Sequence, residues 1–311
     1  MSIRTRLLRS LAGLGLLLML LAGAFAAVIP TIHRWGATDE EVALALPGDE
    51  LLPTPLVLWT NAVTINAPPD QIWPWIAQLG DTRAGFYSYT WIENRVGALT
   101  GAANYQVIYR NAGQVVPEWQ RPTPGDPLIQ GVLNVRAVEP GAWLLAATPQ
   151  SDAFGWTWLW RVYPLDGGAK TRLIIRNRIQ APPEMSNPAA TFVLDAGGFV
   201  MEQRMMRGIK LRAEGGSEPA WTEVAEIALW LAALCCGFAA AWLFVFRRAW
   251  LRPLIVAAAA VMCLFVLTFV QPPLWTRAIL DTLLVCSVWW AYQSVRPHRL
   301  ATPRVRAASP T

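Results

Sequence analysis

Two long stretches without a charged residue constrain the fold of this chain more than any other feature. Ser10–Ile29 and Ile227–Phe246 are each 20 residues long and uncharged. A helix rises about 1.5 Å per residue, so about 20 apolar residues cross the hydrocarbon core of a bilayer. Only 15% of the residues are charged, whereas soluble proteins contain about a quarter. We therefore expect membrane-spanning helices beside a separate folded domain.

The complete pattern predicts about four transmembrane helices. The first lies within residues 1–29. Because this stretch ends in Ala24-Phe25-Ala26, which resembles a signal-peptidase site, a cleaved signal peptide is the alternative to a retained anchor. Three further spans are predicted after the central part of the chain, at residues 221–248, 253–270 and 275–295.

Arginines flank the apolar stretches in a regular way. Residues 1–29 contain three arginines and no acid, and residues 30–222 carry a net charge of −3. The loop between the second and third spans and the tail at 296–311 are again rich in arginine. Because such loops stay in the cytoplasm, we expect a multi-pass bacterial inner-membrane protein with both termini cytoplasmic and the central domain extracytoplasmic. The acidic balance of that domain excludes nucleic acid as a partner.

The central part of the chain is predicted to be one α+β domain at residues 55–216, which follows a linker at 30–54. The acids of the linker are expected to form a solvated surface. Leu58–Ile65 reads as a strand, and a helix capped by Asp70 follows it. A second short helix is expected over Ser88–Val96.

Beyond these helices the apolar residues alternate with period two, which indicates antiparallel strands. Pro140-Gly141 and Asp166-Gly167-Gly168 are typical of the tight turns between such strands. A closing helix is expected after Asn187, with a break at Gly197-Gly198 and a long second part over Phe199–Glu214. This order predicts a long helix across a curved sheet, with room between them for an apolar ligand. The candidate strands are Val107–Arg110, Pro127–Gln130, Val132–Glu139, Ala142–Thr148, Trp156–Tyr163 and Arg172–Ile179.

Three stretches of this domain carry a family resemblance. Asn66–Gly80, Arg83–Asn94, and Phe199–Glu202 with Gly208–Lys210 resemble bacterial members of the SRPBCC superfamily, the START-like proteins grouped with polyketide cyclases/dehydrases and lipid-transfer domains. The resemblance covers about residues 55–214 and implies a helix-grip fold that binds a hydrophobic small molecule or a lipid. It leaves function open, because the superfamily includes carriers, cyclases and ligand sensors.

Motifs for catalysis and metal binding are missing from the sequence. His33 and His298 are the only histidines, and neither lies within the predicted domain, so a Ser-His-acid triad is not expected. The catalytic residues are therefore unknown, and no metal site and no cofactor are predicted. Two alternatives to a ligand carrier stay open: a cofactor-free cyclase or dehydratase that uses carboxylates and tyrosines, and a regulatory membrane protein with a vestigial pocket. The sequence names no protein partner.

Polar side chains just after the first helix of the domain form the best candidate for a ligand site. They are Arg83, Tyr87, Tyr89, Glu93 and Asn94. Tyr89 and Glu93 are four residues apart and share a helix face. Glu93 would then act as a base or polar anchor, and Arg83 would hold a headgroup or carboxylate. The alternative is that Arg83 pairs with Glu93 and that the tyrosines fill the core.

Three tryptophans alternate along one predicted strand. Trp156, Trp158 and Trp160 share a face because side chains of a strand alternate between its two sides. As a pocket lining, this ladder favours a flat or acyl ligand. The alternative is an ordinary core, since large aromatic residues dominate most cores.

Two further acids have open interpretations. Glu202 and Arg204 on the closing helix are expected to be solvated, with an inward-facing Glu202 as the alternative. Asp281 is the one acid of the last predicted span and is expected to pair with Arg277, four residues earlier on the same helix face. A functional acid inside the membrane is the alternative.

Overall fold

A computed structural model describes residues 3–99, 110–149, 154–180, 187–246 and 250–295. The contacts divide the chain into two units. One unit is residues 24–224. The other combines residues 1–23 with residues 225–311. Of the predicted strands, Val107–Arg110 lies outside the described residues except for its last position.

The domain unit is built on one antiparallel sheet of six strands. Their spatial order is β1-β6-β5-β4-β3-β2, so the first and last strands of the chain pair with each other. Every described strand lies within three residues of its predicted bounds, and the predicted antiparallel pairing is confirmed. The strands are β1 (Val57–Ile65), β2 (Pro127–Ile129), β3 (Leu133–Glu139), β4 (Trp143–Ala147), β5 (Gly155–Leu165) and β6 (Lys170–Gln180).

The helices follow one another along the chain in the predicted order. A long helix, α1, runs over Ile3–Ile32, and a one-turn helix, α2, covers Asp39–Ala43. After β1, the chain forms α3 (Pro69–Ala77) and α4 (Thr90–Leu99). The closing helix, α5, spans Pro188–Ala213 after β6. A long helix packed on a six-stranded antiparallel sheet is the helix-grip arrangement, so the predicted fold class is confirmed.

Two local predictions on helix ends are wrong. Helix α3 begins at Pro69 with Pro68 as its N-cap, and Asp70 lies inside the first turn instead of capping it. Proline suits this position because its fixed φ angle and missing N–H fit the first turn of a helix. Helix α5 runs through Gly197 and Gly198 without a break.

The uninterrupted course of α5 has a packing reason. A Cβ atom at Gly198 would lie 2.5 Å from the ring of Trp59 on β1, so only glycine lets the helix approach the sheet this closely. A glycine inside a helix costs about 1 kcal/mol relative to alanine. Burial of the Trp59 ring, which is almost completely inaccessible, contributes more than this cost.

The face of the sheet that meets α5 carries the main core of the domain. From the sheet it contains Trp158, Trp160 and Ile175, and from α5 it contains Met206 and Ile209. Residues from α3 and from the segment before α4 complete this core. The tryptophan ladder therefore points toward the closing helix.

The opposite face of the sheet, which we call the outer face, is covered by the segment between α1 and β1. Leu46 of this segment packs against Leu145, Leu159 and Ile174. Thr38 and Glu41 form a capping box that begins α2 within the same segment. The stretch expected to be a linker is therefore an ordered part of the domain surface.

The linker acids expected to be solvated take part in ion pairs on this outer face. Glu41 receives two hydrogen bonds from Arg172 of β6, from Nε at 2.7 Å and from Nη2 at 2.8 Å. Asp49 pairs with both Arg176 at 2.7 Å and Arg178 at 3.1 Å. The expectation of a solvated acidic surface is therefore wrong for Glu41 and Asp49.

The second unit contains three helices after the domain. They are α6 (Thr222–Phe246), α7 (Leu251–Phe265, continued by a π-helical turn at Val266–Val270) and α8 (Leu274–Val295). Among the residues that the structure describes, three helices are long and apolar enough to cross a membrane: α1, α6 and α7 with its π turn. The predicted count of about four is therefore too high by this measure. The last predicted span forms as α8, whose Arg277, Asp281 and Gln293 make it more polar.

Candidate functional site

A buried carboxylic acid lies between the closing helix and the sheet. Glu202 projects from α5 and is only 3% exposed. Its Oε1 accepts a hydrogen bond from Asn61 Nδ2 on β1 at 2.8 Å, and its Oε2 accepts one from Asn177 Nδ2 on β6. The expectation of a solvated Glu202 is wrong, and the inward-facing alternative is confirmed.

The strand register explains why the two asparagines meet this acid. Asn177 lies directly opposite Trp158 of β5 on one side and Trp59 of β1 on the other. Asn61 lies two residues further along β1 and therefore points to the same face. Helix α5 crosses this face and places Glu202 above the two amides.

The hydrogen-bond network extends from the acid to the tryptophan ladder. Trp156 Nε1 donates to Asn177 Oδ1 at 2.8 Å, and the backbone N–H of Trp35 donates to Asn61 Oδ1 at 2.7 Å. In both asparagines the amide oxygen therefore accepts a hydrogen bond, and the amide nitrogen donates one to Glu202. We call Glu202, Asn61, Asn177, Trp156 and Trp158 the Glu202 site.

Burial controls the charge of this acid. It raises the pKa of Glu202 to about 8, and the hydrogen bonds from Asn61 and Asn177 oppose the shift without cancelling it. Desolvation penalises the carboxylate because the surroundings are apolar. At neutral pH Glu202 is therefore mostly a neutral acid, which can donate a hydrogen bond as well as accept one.

The tryptophan ladder forms an aromatic surface beside this acid. Trp156 and Trp158 stack with ring centroids 5.3 Å apart, and Trp158 and Trp160 lie 4.4 Å apart. Phe86 stacks on Trp158 at 5.8 Å. Trp160 is fully buried and Trp156 is half-buried, so the ladder runs from the core toward the rim at the start of β5.

The five residues of the predicted polar cluster do not form one site around Glu93. Arg83 pairs with Asp126 at 2.8 Å instead of forming the Arg83–Glu93 pair that was the alternative to a ligand site. The carboxylate of Asp126 also accepts a hydrogen bond from the backbone N–H of Thr123 at 2.9 Å. Asp126 is thus a turn residue that also fixes Arg83.

Tyr87 is part of the core framework. Its hydroxyl donates to the carbonyl oxygen of Trp75 at 3.1 Å and accepts from Gln78 Nε2 at 2.8 Å. Burial raises the pKa of this hydroxyl. The backbone of Tyr87 has a positive φ of 56°, and Asn111 fixes it by accepting its N–H at 2.8 Å. Tyr87 therefore fills the core, which is the alternative that the sequence left open for the tyrosines.

Tyr89 and Glu93 lie at the start of α4, and Asn94 follows Glu93 on the same helix. The backbone N–H of Glu93 donates to the carbonyl oxygen of Tyr89 at 3.0 Å. The guanidinium of Arg204 lies over the Tyr89 ring, 5.4 Å from its centroid, and Arg204 is itself buried in an ion pair with Glu218. The expectation of a solvated Arg204 is therefore wrong.

Glu93 is the second acid of the domain with a raised pKa. Burial raises the pKa of Glu93 to about 8, and the negative charge of Glu223 adds to the shift. Glu223 accepts hydrogen bonds from the Thr90 hydroxyl and from the backbone N–H of Trp91, so it caps the first turn of α4. One carboxyl oxygen of Glu93 is buried and has no hydrogen-bond partner among the described residues.

His33 lies close to a carboxylate of the closing helix. Its Nε2 lies 3.2 Å from Asp195 Oδ1 on α5, and the same oxygen accepts a hydrogen bond from Trp59 Nε1 at 3.1 Å. This arrangement joins the end of α1 to the closing helix. Within the residues that the structure describes, no cluster of three or more His, Cys, Asp or Glu is arranged to hold a metal ion.

Comparison with solved structures finds similar folds over about half of the chain. A START superfamily protein from Mycobacterium smegmatis is 14% identical, and the match covers 51% of this chain and 97% of that protein with a TM-score of 0.29. Proteins from Chromobacterium violaceum (12% identity, 50% and 96% covered, TM-score 0.28) and Mesorhizobium loti (17%, 51% and 99%, 0.26) are also similar. No family model and no curated protein matches the sequence.

Proposed function

We propose that residues 24–224 bind a hydrophobic small molecule or lipid and present it at the membrane surface. The observation that carries this proposal is the Glu202 site, where one neutral acid and two amides lie beside stacked tryptophans. Ligand pockets combine an apolar, aromatic lining with a few convergent polar groups of this kind. A buried acid with a perturbed pKa in such surroundings is a recognised indicator of a functional site.

The position of the polar groups supports the same reading. A core that only needs stability gains nothing from a buried carboxyl, because its desolvation costs free energy that an apolar side chain of similar size avoids. Here the fold places three polar side chains from three elements at the centre of an aromatic face. They would orient the polar end of a ligand whose apolar body lies along the tryptophan ladder.

The three apolar helices supply the tether in this proposal. A ligand that partitions into lipid would reach a domain held at the bilayer by diffusion in two dimensions. We place the domain outside the bacterial inner membrane, following the arginines that flank the apolar helices. A reporter fused after Thr311 tests this arrangement, because the two termini share the cytoplasmic side only if α8 also crosses. An active external reporter would contradict it.

Two tryptophans on opposite faces of the sheet give a matched test of ligand binding. Trp156 and Trp143 are both half-buried, and each indole N–H has one side-chain acceptor, Asn177 and Glu139 respectively. Trp156→Ala should lower the amount of hydrophobic molecule that co-purifies with the full-length protein about tenfold, since removing one aromatic contact costs at least about 1.4 kcal/mol. Trp143→Ala on the outer face should leave it unchanged.

The measurement is mass spectrometry of organic extracts and of the intact protein released from detergent micelles. The molecule that Trp156→Ala loses and Trp143→Ala retains is the ligand. Equal retention in both variants would contradict binding at the tryptophan ladder.

A cofactor-free enzyme is the second candidate, and the raised pKa values of Glu93 and Glu202 favour it. An acid that titrates near the working pH serves both as proton donor and as proton acceptor. In this case Glu202→Gln or Glu93→Gln abolishes turnover of the bound molecule while leaving its binding largely intact. A carrier, by contrast, releases the same molecule that it bound, and extraction of unaltered ligand after prolonged incubation identifies it.

A further inference from the structure

Three ionisable side chains are buried within the helical unit. Glu226 lies in the first turns of α6, and Arg277 and Asp281 lie one turn apart on α8. They are 8%, 2% and 5% exposed respectively. Buried charges at such a place are costly and therefore need partners, a bound ion or a proton.

Arg277 uses its guanidinium on partners other than Asp281. Its Nη2 lies 3.4 Å from Glu226 Oε1, and its Nε donates to the carbonyl oxygen of Pro272 at 2.9 Å. Its Nη1 donates to the carbonyl oxygen of Leu267 in the π-helical turn at 3.4 Å. The expected pair between Arg277 and Asp281 is not formed, so that prediction is wrong.

Asp281 is left without a countercharge. Both of its carboxyl oxygens are buried, and neither has a hydrogen-bond partner among the described residues. The ionisable groups that reach it electrostatically from the neighbouring helices are the thiols of Cys236 on α6 and Cys263 on α7. From its own helix, Arg277 precedes it by one turn and is turned toward Glu226.

The chemistry of these surroundings selects the positive charge that Asp281 can take. Hard metal cations are bound by about six oxygen ligands, whereas the core of the helical unit is built from hydrocarbon side chains, with Cys236 and Cys263 packed against it. An unpaired carboxylate in such surroundings costs several kcal/mol. A proton removes this cost and needs no further ligand.

We propose that Asp281 is a proton-binding site between α6, α7 and α8. The site is separate from the Glu202 site and uses none of its residues. Loss of the proton creates a charge that the three helices cannot solvate as packed, so proton exchange at Asp281 requires them to rearrange. This is the property that a proton relay or a proton-coupled carrier requires of an acid inside a helix bundle.

Infrared spectroscopy of the full-length protein in lipid nanodiscs tests the proposal. A protonated carboxyl gives a C=O stretching band that shifts in D2O, and carbon-13 labelling of aspartate alone moves an aspartic acid band away from those of glutamic acids. This label matters because Glu93 and Glu202 also have raised pKa values. We expect an aspartate-labelled band in the wild-type protein at neutral pH and its complete loss in Asp281→Asn.

Two spectroscopic results would overturn the proposal. One is the absence of an aspartate-labelled band in the wild-type protein. This measurement does not depend on whether a variant folds. The other is loss of the band when sodium replaces a bulky organic cation, which would make Asp281 a metal-cation site. Thermal unfolding adds a third check: Asp281→Asn should unfold at or above the wild-type midpoint, since a neutral amide replaces a neutral acid. A lowered midpoint would indicate a charged Asp281 that pairs with Arg277.

Discussion

The two faces of the sheet treat buried ionisable groups differently. On the outer face the buried arginines of β6 pair with carboxylates, whereas on the face below α5 the buried Glu202 is kept neutral by its raised pKa. Arg176 donates to Asp49, to Thr60 and to three backbone carbonyl oxygens, so every nitrogen of its guanidinium has an acceptor. Glu202 on the other face is hydrogen-bonded to neutral amides, and burial raises its pKa to about 8.

In the function proposed above, this difference separates polar groups that hold the fold together from an acid that serves a ligand. The arginines of β6 tie the segment before β1 to the sheet, and they are fully occupied in doing so. Glu202 keeps an exchangeable proton in an aromatic environment, which stabilises nothing that an apolar residue could not stabilise better. The comparison can be tested by removing groups from each face in turn.

The largest effect is expected on the outer face. Asp49→Ala leaves Arg176, which is 3% exposed, without its carboxylate and should lower the free energy of unfolding by about 3 kcal/mol, because a buried charge loses its partner. Denaturant titration of the full-length protein followed by tryptophan fluorescence measures this loss. Asp39→Ala is the matched control, since its side chain is 84% exposed, and exposed pairs contribute about 0–1 kcal/mol. Equal losses for the two variants would contradict the structural role of Asp49.

A medium effect is expected where α5 meets the segment before α4. A Cβ atom at Gly208 would lie 2.5 Å from the carbonyl oxygen of Tyr87, so Gly208→Ala should destabilise the domain by about 2 kcal/mol through overpacking. Gly197→Ala on the same helix meets nothing within 4 Å and should stabilise it by about 0.5–1 kcal/mol. Thermal unfolding midpoints in opposite directions would confirm this, and a shared sign would contradict the close contact at Gly208.

Taken per pH unit, the smallest effect is the pH dependence that Glu202 gives to the stability of the domain. Its pKa is raised from 4.5 to about 8 on folding, so the folded protein binds more protons than the unfolded chain between these values. Stability should therefore fall as the pH rises from about 5 to about 8, by at most about 1.4 kcal/mol per pH unit for one group. Glu202→Gln should reduce this slope, and unfolding titrations at several pH values measure it.

The matched control for the pH prediction is Glu93→Gln, which removes the second raised pKa of the domain. Each single variant should remove part of the slope and the double variant should remove more. A slope that is unchanged in Glu202→Gln would show that Glu202 is charged in the folded protein at neutral pH.

The strands and their pairing could be predicted because their signals are local. Period-two alternation marks each strand, and glycine turns such as Gly167-Gly168 mark the connections. The continuity of helix α5 through Gly197-Gly198 could not be predicted, because the contact that explains it is not local in the sequence. Its continuity depends on the Trp59 ring, which lies more than 130 residues away in the sequence.

The Glu202 site could be predicted only in part. Arginine follows Glu202 two positions later and Gln203 is adjacent, so the local pattern resembles a solvated helix face. Burial of the acid depends on Asn61 and Asn177 meeting above the ladder, which only the strand register provides. One signal was present in the sequence, since asparagines at Asn61 and Asn177 interrupt two otherwise apolar strand faces.

The sequence also contains an indication that the outer face of the sheet is covered by another segment. Arg172, Arg176 and Arg178 lie on one face of β6, and such a row of guanidinium groups on an interior strand requires acids from elsewhere. Glu41 and Asp49 supply them from a stretch whose composition is typical of a linker. From composition alone, the segment between α1 and β1 is therefore taken for a linker, although its ion pairs make it part of the folded domain.

This cover also decides where the chain can be cut. A recombinant fragment that begins at residue 55 lacks both carboxylates that pair with the three arginines, Glu41 and Asp49, and the carbonyl oxygens of residues 41, 42, 44, 52 and 53. It also exposes the apolar side chains that Leu46 covers. Such a fragment is expected to aggregate, whereas one that begins before Trp35 retains this cover, including the Gly36 carbonyl oxygen that accepts from Arg172. The N-terminal boundary of a stable fragment is therefore set by the residues that cover the outer face of the sheet.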